Sequence, residues 1–210
     1  MALKNKYWTD GLYSYKGIQK RVCFHSREIR GRKDAFNPDI IDYKSFVADL
    51  SQLMAAIPMC IYASHIDKER HVNQYIHPIE PYDLCMTFVL ERILRDLPVN
   101  QNCVIILESR GAKEDRTVLD FIKGLINNGT RFHPASHFSR IKGVYFNPKW
   151  CKAADDRMSY WELELADLCA YPIQKFFVYG TMDLAFQVIL PKLSHYPDHM
   201  GKGLKSFPIT

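Results

Sequence analysis

Cys103-Val-Ile-Ile-Leu107 is a continuous apolar run of strand length, and it narrows the folds open to this chain more than any other stretch. A strand with one face in water alternates apolar and polar residues. An unbroken run is typical of a strand covered on both faces, as in layered α/β sheets. The surrounding sequence alternates in the same sense. Asp42 precedes a segment with apolar positions Phe46, Val47, Leu50, Leu53, Met54 and Ile57, close to a helical period, and Pro58 stops it. Met59 to Ile66 reads as a strand, and Tyr82 to Leu97 as a helix ended by Pro98. Asp115 to Asn127 reads as a helix closed by Asn128-Gly129, and Ile141 to Phe146 as a strand ended by Asn147-Pro148. A long helix, Tyr160 to Tyr179, contains Pro172, which removes one backbone bond. A last helix spans Met182 to Leu193. Before Asp42 the pattern is weaker. Lys4 to Gln19 is aromatic and basic, Arg21 to His25 is a short strand, and Ser26 to Asp34 is a polar, basic loop. Alternating strands and helices predict an α/β layer fold.

The 210 residues are enough for one domain, with residues 1–35 as its N-terminal part and basic loop and 180–210 as a C-terminal helix and tail. Lys and Arg number 28 against 23 for Asp and Glu. That excess is compatible with a nucleic-acid partner but too small to argue for one without clustering. None of the six cysteines forms a Cys-x-x-Cys pair, which argues against a zinc ribbon or disulfide framework and for a reducing, cytoplasmic compartment. No segment approaches the roughly 20 apolar residues of a membrane span, and residues 1–20 hold no apolar core of signal-peptide length.

Against this background the acidic residues stand out. Asp167 lies inside the apolar stretch Glu164 to Ile173, where a lone ionised carboxylate is costly unless a cation or several donors meet it. Glu164 is one helical turn away, and a divalent ion would relieve the repulsion between them; a buried pair with Arg or Lys is the alternative. Glu108 stands where the apolar run ends, the end of the strand at which α/β sheets gather their sites. It reads equally as a residue leaving the core to pair with Arg110. Asp115 is either a helix cap or a further acidic group of the site. Lys149 either meets a phosphate or orients Asp167, or is a solvated loop lysine. His25, Arg27, Arg30, Arg32 and Lys33 form a basic cluster able to follow a phosphate backbone, or a solvated loop. The pairs His133/His137 and His195/His199 have helical zinc spacing, but Pro134 and Pro197 inside them argue against it. No Walker loop, dinucleotide fingerprint or nucleophile elbow occurs.

Several of these segments, in order, resemble the domain-of-unknown-function 3800 family (DUF3800), whose members look like RNase H-type proteins. They are Phe24 to Arg30, Leu107-Glu-Ser-Arg-Gly111 with Asp115 after it, Phe146 with Lys149, Glu164 to Pro172, and Gly203 to Pro208. The resemblance implies a mixed sheet flanked by helices, with Glu108 and Asp167 as ligands of Mg²⁺ or Mn²⁺ and Asp115 beside them. By the same likeness His25 and Glu28 would neighbour the site; in a working enzyme Lys149 and the basic segment, with His25, Arg27 and Arg30, and Arg110 would meet the nucleic acid. The chain departs from the family at its start. The usual first strand, ending in an Asp-Glu-Ser type motif, is absent, and Asp10 sits in a polar, non-strand context. The scaffold is therefore expected to be N-terminally truncated, or completed by a partner. Two functions follow: a metal-dependent nuclease, inactive if the first acidic strand is essential, or a non-catalytic nucleic-acid-binding or assembly protein. In the second case an exposed sheet edge would pair with a second copy or another chain.

Overall fold

Residues 2–148 and 160–208 are described by the computed structural model, and they form a mixed α/β structure with small parallel and antiparallel sheets. The chain divides into two units, Met1–Pro58 with Asn147–Ile189, and Met59–Phe146 with Leu190–Thr210.

Aromatic packing organises the first unit. Helix α1 (Ala2–Tyr7) leads into Trp8, which with Phe24, Phe36 and Phe46 is almost wholly buried. Trp8 meets Phe36 and Phe46 edge-on at 5.6 and 5.4 Å between ring centroids, the offset that aromatic quadrupoles prefer. Its indole N–H donates to the Ala35 carbonyl at 3.0 Å, so the buried donor is satisfied. A hairpin follows: β1 (Leu12–Tyr15) pairs antiparallel with β2 (Ile18–Arg21) across Lys16-Gly17. Both turn residues have positive φ, 51° and 76°, as a two-residue turn matched to strand twist requires.

The strand expected over Arg21 to His25 is not formed; β2 ends at Arg21. Val22, Cys23 and Phe24 are buried, but carboxylates rather than a neighbouring strand take the backbone donors of Phe24 and Ser26. The expected loop after it is instead helix α2 (Ser26–Gly31), closed by Arg32 at φ 50°. Ile29 drives this: it is buried on one side of the turn while Arg27 and Arg30 stay exposed on the other. Helix α3 (Tyr43–Ala56) is capped as the sequence indicates. The Asp42 carboxylate accepts from the Ser45 N–H at 3.1 Å and its hydroxyl at 2.6 Å.

Within the second unit, β3 (Ala63–Ile66) leads to α4 (Lys68–Gln74) and α5 (Pro81–Asp96), with Pro81 in the first turn, where it lacks no needed donor. Strand β4 (Cys103–Glu108), α6 (Ala112–Asn128), the short α7 (Ala135–Phe138) and β5 (Ile141–Asn147) form a crossover unit. The Cys103 N–H donates to the Arg140 carbonyl at 3.0 Å. The starts of the two strands therefore meet, and β4 and β5 run parallel. Leu90, Leu94, Ile122, Leu125, Phe138 and Ile141 are the core of this unit, with Cys103, Ile105 and Leu107 packed against it. Coverage of β4 on both faces does not hold, since Val104 is 55% exposed.

The Asp167 helix, α8 (Trp161–Tyr179), returns the chain to the first unit and ends at Gly180 with φ 64°. It carries Pro172 in its interior and buries Glu164, Leu165, Cys169, Pro172 and Ile173 along one stripe. The last predicted helix is shorter: α9 (Leu184–Ile189) gives way to a 3₁₀ turn, Leu190–Lys192, that contains Pro191. Asp183 starts α9 by accepting the Phe186 N–H at 3.0 Å, and Phe186 stacks on Phe176 at 4.6 Å. The final strand, β6 (Leu204–Phe207), pairs parallel with β3. The described strands thus form three two-stranded sheets, not one mixed sheet.

Candidate functional site

Two acids three residues apart on α8 hold the segment that leads into α2. The Glu164 carboxylate accepts the Phe24 N–H at 2.7 Å through Oε2 and the Lys4 ammonium at 2.8 Å through Oε1. The Asp167 carboxylate accepts the Ser26 N–H at 2.6 Å. The geometry follows from two periods. Residues two apart in an extended segment point their N–H groups the same way, and residues three apart on a helix share a face. Glu164 is 2% exposed and Lys4 15%, so this is a buried ion pair with an added backbone donor. The Lys4 ammonium also lies 4.9 Å from the Phe24 ring centre.

The Asp167 bond meets the first turn of α2, where a carboxylate satisfies an otherwise orphaned donor and favours the positive end of the helix. His25 occupies the cap position just before it. Arg30 then turns back onto α8: its guanidinium carbon lies 3.3 Å from the centre of the Tyr171 ring. Its Nε makes a long contact of 3.4 Å to the Ser26 hydroxyl. Arg27 is exposed on the same short helix. Two readings of the sequence are therefore brought together in the first unit. The Asp167 helix and the basic segment are one construction, with His25, Arg27 and Arg30 positioned by α8.

The second unit holds the other acids. Glu108 is the last residue of β4 and is exposed. Asp115 does not begin its helix; α6 starts at Ala112 with Gly111 as its cap. Asp115 instead reaches back from the first turn. It accepts the Ser109 hydroxyl at 2.6 Å and the Arg110 N–H at 2.9 Å, which fixes the turn after β4. Arg110 lies over the Tyr82 ring at 5.2 Å. Asp167 belongs to the first unit and Glu108 and Asp115 to the second. Lys149 lies outside the described residues.

A divalent hard ion needs several oxygen ligands. In the first unit Glu164 is engaged by Lys4 and Phe24, and Asp167 by Ser26. In the second, Asp115 is engaged by Ser109 and Arg110. Among the described residues no three His, Cys, Asp or Glu side chains gather as a metal ion would require. The described residues of neither unit by itself fit Mg²⁺ or Mn²⁺. The His133/His137 pair stacks ring on ring at 4.4 Å, and His137 Nε2 contacts the Glu91 carbonyl, not a zinc-ligand arrangement.

Sequence reasoning missed one polar cluster. Asp96, at the end of α5, accepts from Tyr62 at 3.0 Å, Ser194 at 3.1 Å, Arg95 at 2.8 Å and His195 Nε2 at 2.9 Å. Burial alone would raise this carboxyl, but the four donors outweigh it and hold it well below the usual carboxylate range. The cluster ties the segment before β6 to α5. Its members lie up to 133 positions apart (residues 62 to 195) with no local pattern, so nothing in the sequence announces it.

No helix among the described residues is long and apolar enough to cross a membrane. The chain matches no family model, no curated protein and no solved structure.

Proposed function

We propose that this chain binds nucleic acid through the arginine-bearing turn that α8 holds in place, on a scaffold related to RNase H-type proteins. The observation that carries the reading is the join between α2 and α8. Asp167 and Glu164 fix the backbone at Ser26 and Phe24, and Tyr171 supports the flat face of Arg30. An arginine stacked on a ring is pre-organised and keeps its edge N–H groups for a phosphate. Arg27 and Arg30 supply phosphate contacts, His25 of the same unit adds to them, and backbone phosphates give affinity without sequence choice.

The test is fluorescence anisotropy with labelled single-stranded RNA and DNA over a range of salt. Binding weakens steeply with salt. The double variant Arg27→Ala/Arg30→Ala flattens the dependence by about 0.7 per lost contact on a single strand. Tyr171→Ala weakens binding while leaving net charge unchanged. Salt-independent binding, or a double variant with the parent slope, would overturn the reading.

A second reading, Mg²⁺- or Mn²⁺-dependent phosphodiester hydrolysis with Glu108 and Asp167 as ligands and Lys149 and Asp115 near them, draws support from one observation. Glu108 is exposed at the carboxyl end of a parallel strand, where α/β sheets place their chemistry. Metal-dependent cleavage of RNA or DNA that is lost in both Glu108→Gln and Asp167→Asn would favour it. Cleavage that survives both substitutions would remove these ligands from consideration.

A further inference from the structure

In the second unit β3 pairs with β6 and β4 pairs with β5, but no ladder joins β3 to β4. Among the described residues each therefore keeps one edge. The Ala63 and Asp67 N–H groups donate to the β6 side, to Gly203 and Phe207. Backbone polar groups alternate along a strand, so those of Ser64 and Ile66 point the other way. The Cys103 N–H donates to the β5 side, so those of Val104 and Ile106 point away from β5. A cleft of about 420 Å³ lies here, lined by Ser64 of β3, by Cys103 to Leu107 of β4, and by Cys85, Met86 and Val89 of α5. The Ser64 hydroxyl is out of solvent and without a hydrogen-bond partner. The Ser64 carbonyl meets only the Cys85 thiol, at 3.8 Å.

We propose that an extended, uncharged peptide strand from another polypeptide occupies this cleft and pairs with the edges of β3 and β4. Charge complementarity selects that occupant. No lining side chain carries a charge, and burial pushes the Cys85 and Cys103 thiols up, so both are neutral. A charged ligand would lose its water and gain no counter-charge. The polar groups on offer are mainly the alternating partial charges of peptide N–H and C=O on the two rims, which a third backbone complements. The floor is apolar and supplied by α5, so one side of the incoming strand must be apolar. The side away from α5 can be polar.

The probe is a capped, fluorescein-labelled peptide of about six alternating valine and threonine residues, enough to span β4. Its control is the same peptide N-methylated at alternate amides, equally apolar but unable to donate along one edge. The full chain binds the first with Kd below about 100 µM and shifts the amide resonances of Ser64, Ile66, Val104 and Ile106. The methylated peptide binds at least about tenfold more weakly. Cys85→Trp, which fills the floor, abolishes binding. Should that variant not fold, the comparison of the two peptides on the parent protein stands alone. Equal affinity for both peptides, or no binding of the first at millimolar concentration, would refute strand pairing. Concentration-dependent dimerisation that shifts the same four amides without peptide would refute the proposed occupant in favour of a second copy.

Discussion

Glu164 illustrates how much one side chain can decide. It is charged, 2% exposed, and joined to both an ammonium and a backbone donor. Removing one partner of such a pair leaves the other charge buried without compensation, which costs about 3–5 kcal/mol. Glu164→Gln therefore lowers stability by that order in urea unfolding. Adding Lys4→Met to it recovers part of the loss, because the stranded ammonium is gone. A double variant no more stable than Glu164→Gln would show that Lys4 and Glu164 are not coupled. Asp167 separates charge from hydrogen bonding. Asp167→Ala leaves the Ser26 N–H unmet, a loss of about 1–3 kcal/mol, whereas Asp167→Asn keeps an acceptor oxygen and loses less. From the sequence, Asp167 and Glu164 were visible as acids in an apolar helix, and an ion pair was one of two readings. Lys4 was not visible as the partner, because 160 residues separate it from Glu164 and no local period links them.

Elements with punctuation at their ends were legible; those held by distant side chains were not. Asp42 and Pro58 bracket α3, Pro98 follows the end of α5, and Gly129 closes α6. Each mark has a local physical cause that sequence alone carries. The segment entering α2 reads as a strand, Arg21 to His25, running into a loop from Ser26, because its apolar residues are those of a strand. Its hydrogen-bond partners, however, are carboxylates about 140 residues away, and the amphipathic turn at Ile29 is too short to announce a helix. The apolar run of β4 marked a strand correctly but not its surroundings, since one edge and Val104 remain uncovered. The end of α6 offers a direct test of the first kind of mark. Gly129 has φ 70°, and a Cβ there would lie 2.4 Å from the His133 carbonyl oxygen. Gly129→Ala must strain the backbone and displace the chain before α7, so a loss above about 1 kcal/mol is expected, seen as a lowered thermal midpoint. Gly124 lies inside the same helix with open space around it, and Gly124→Ala raises the midpoint through helix propensity.

At the scale of the whole molecule, acid acts on the second unit through His65, His137 and Asp96. Burial pushes both histidines below their ordinary value of 6.5, more than offsetting the pull of Asp67 on His65 and of the Glu91 carbonyl on His137. On acidification below about pH 6.5 the unfolded chain takes up those protons first. The unfolded state then binds more protons than the folded one, and stability falls as pH falls. Asp96 acts lower. Its carboxyl is held below the ordinary 3.8, so its stabilisation is complete above that value and is lost as pH drops through and beneath it. Urea midpoints measured from about pH 7 downward should show two successive declines. His137→Gln should flatten the upper one and leave the lower one in place; Asp96→Asn should do the reverse, while loosening the segment around Ser194 and His195. Stability unchanged from about pH 7 to pH 5 would mean that the two imidazoles titrate alike in the folded and unfolded chain, and that burial does not govern them.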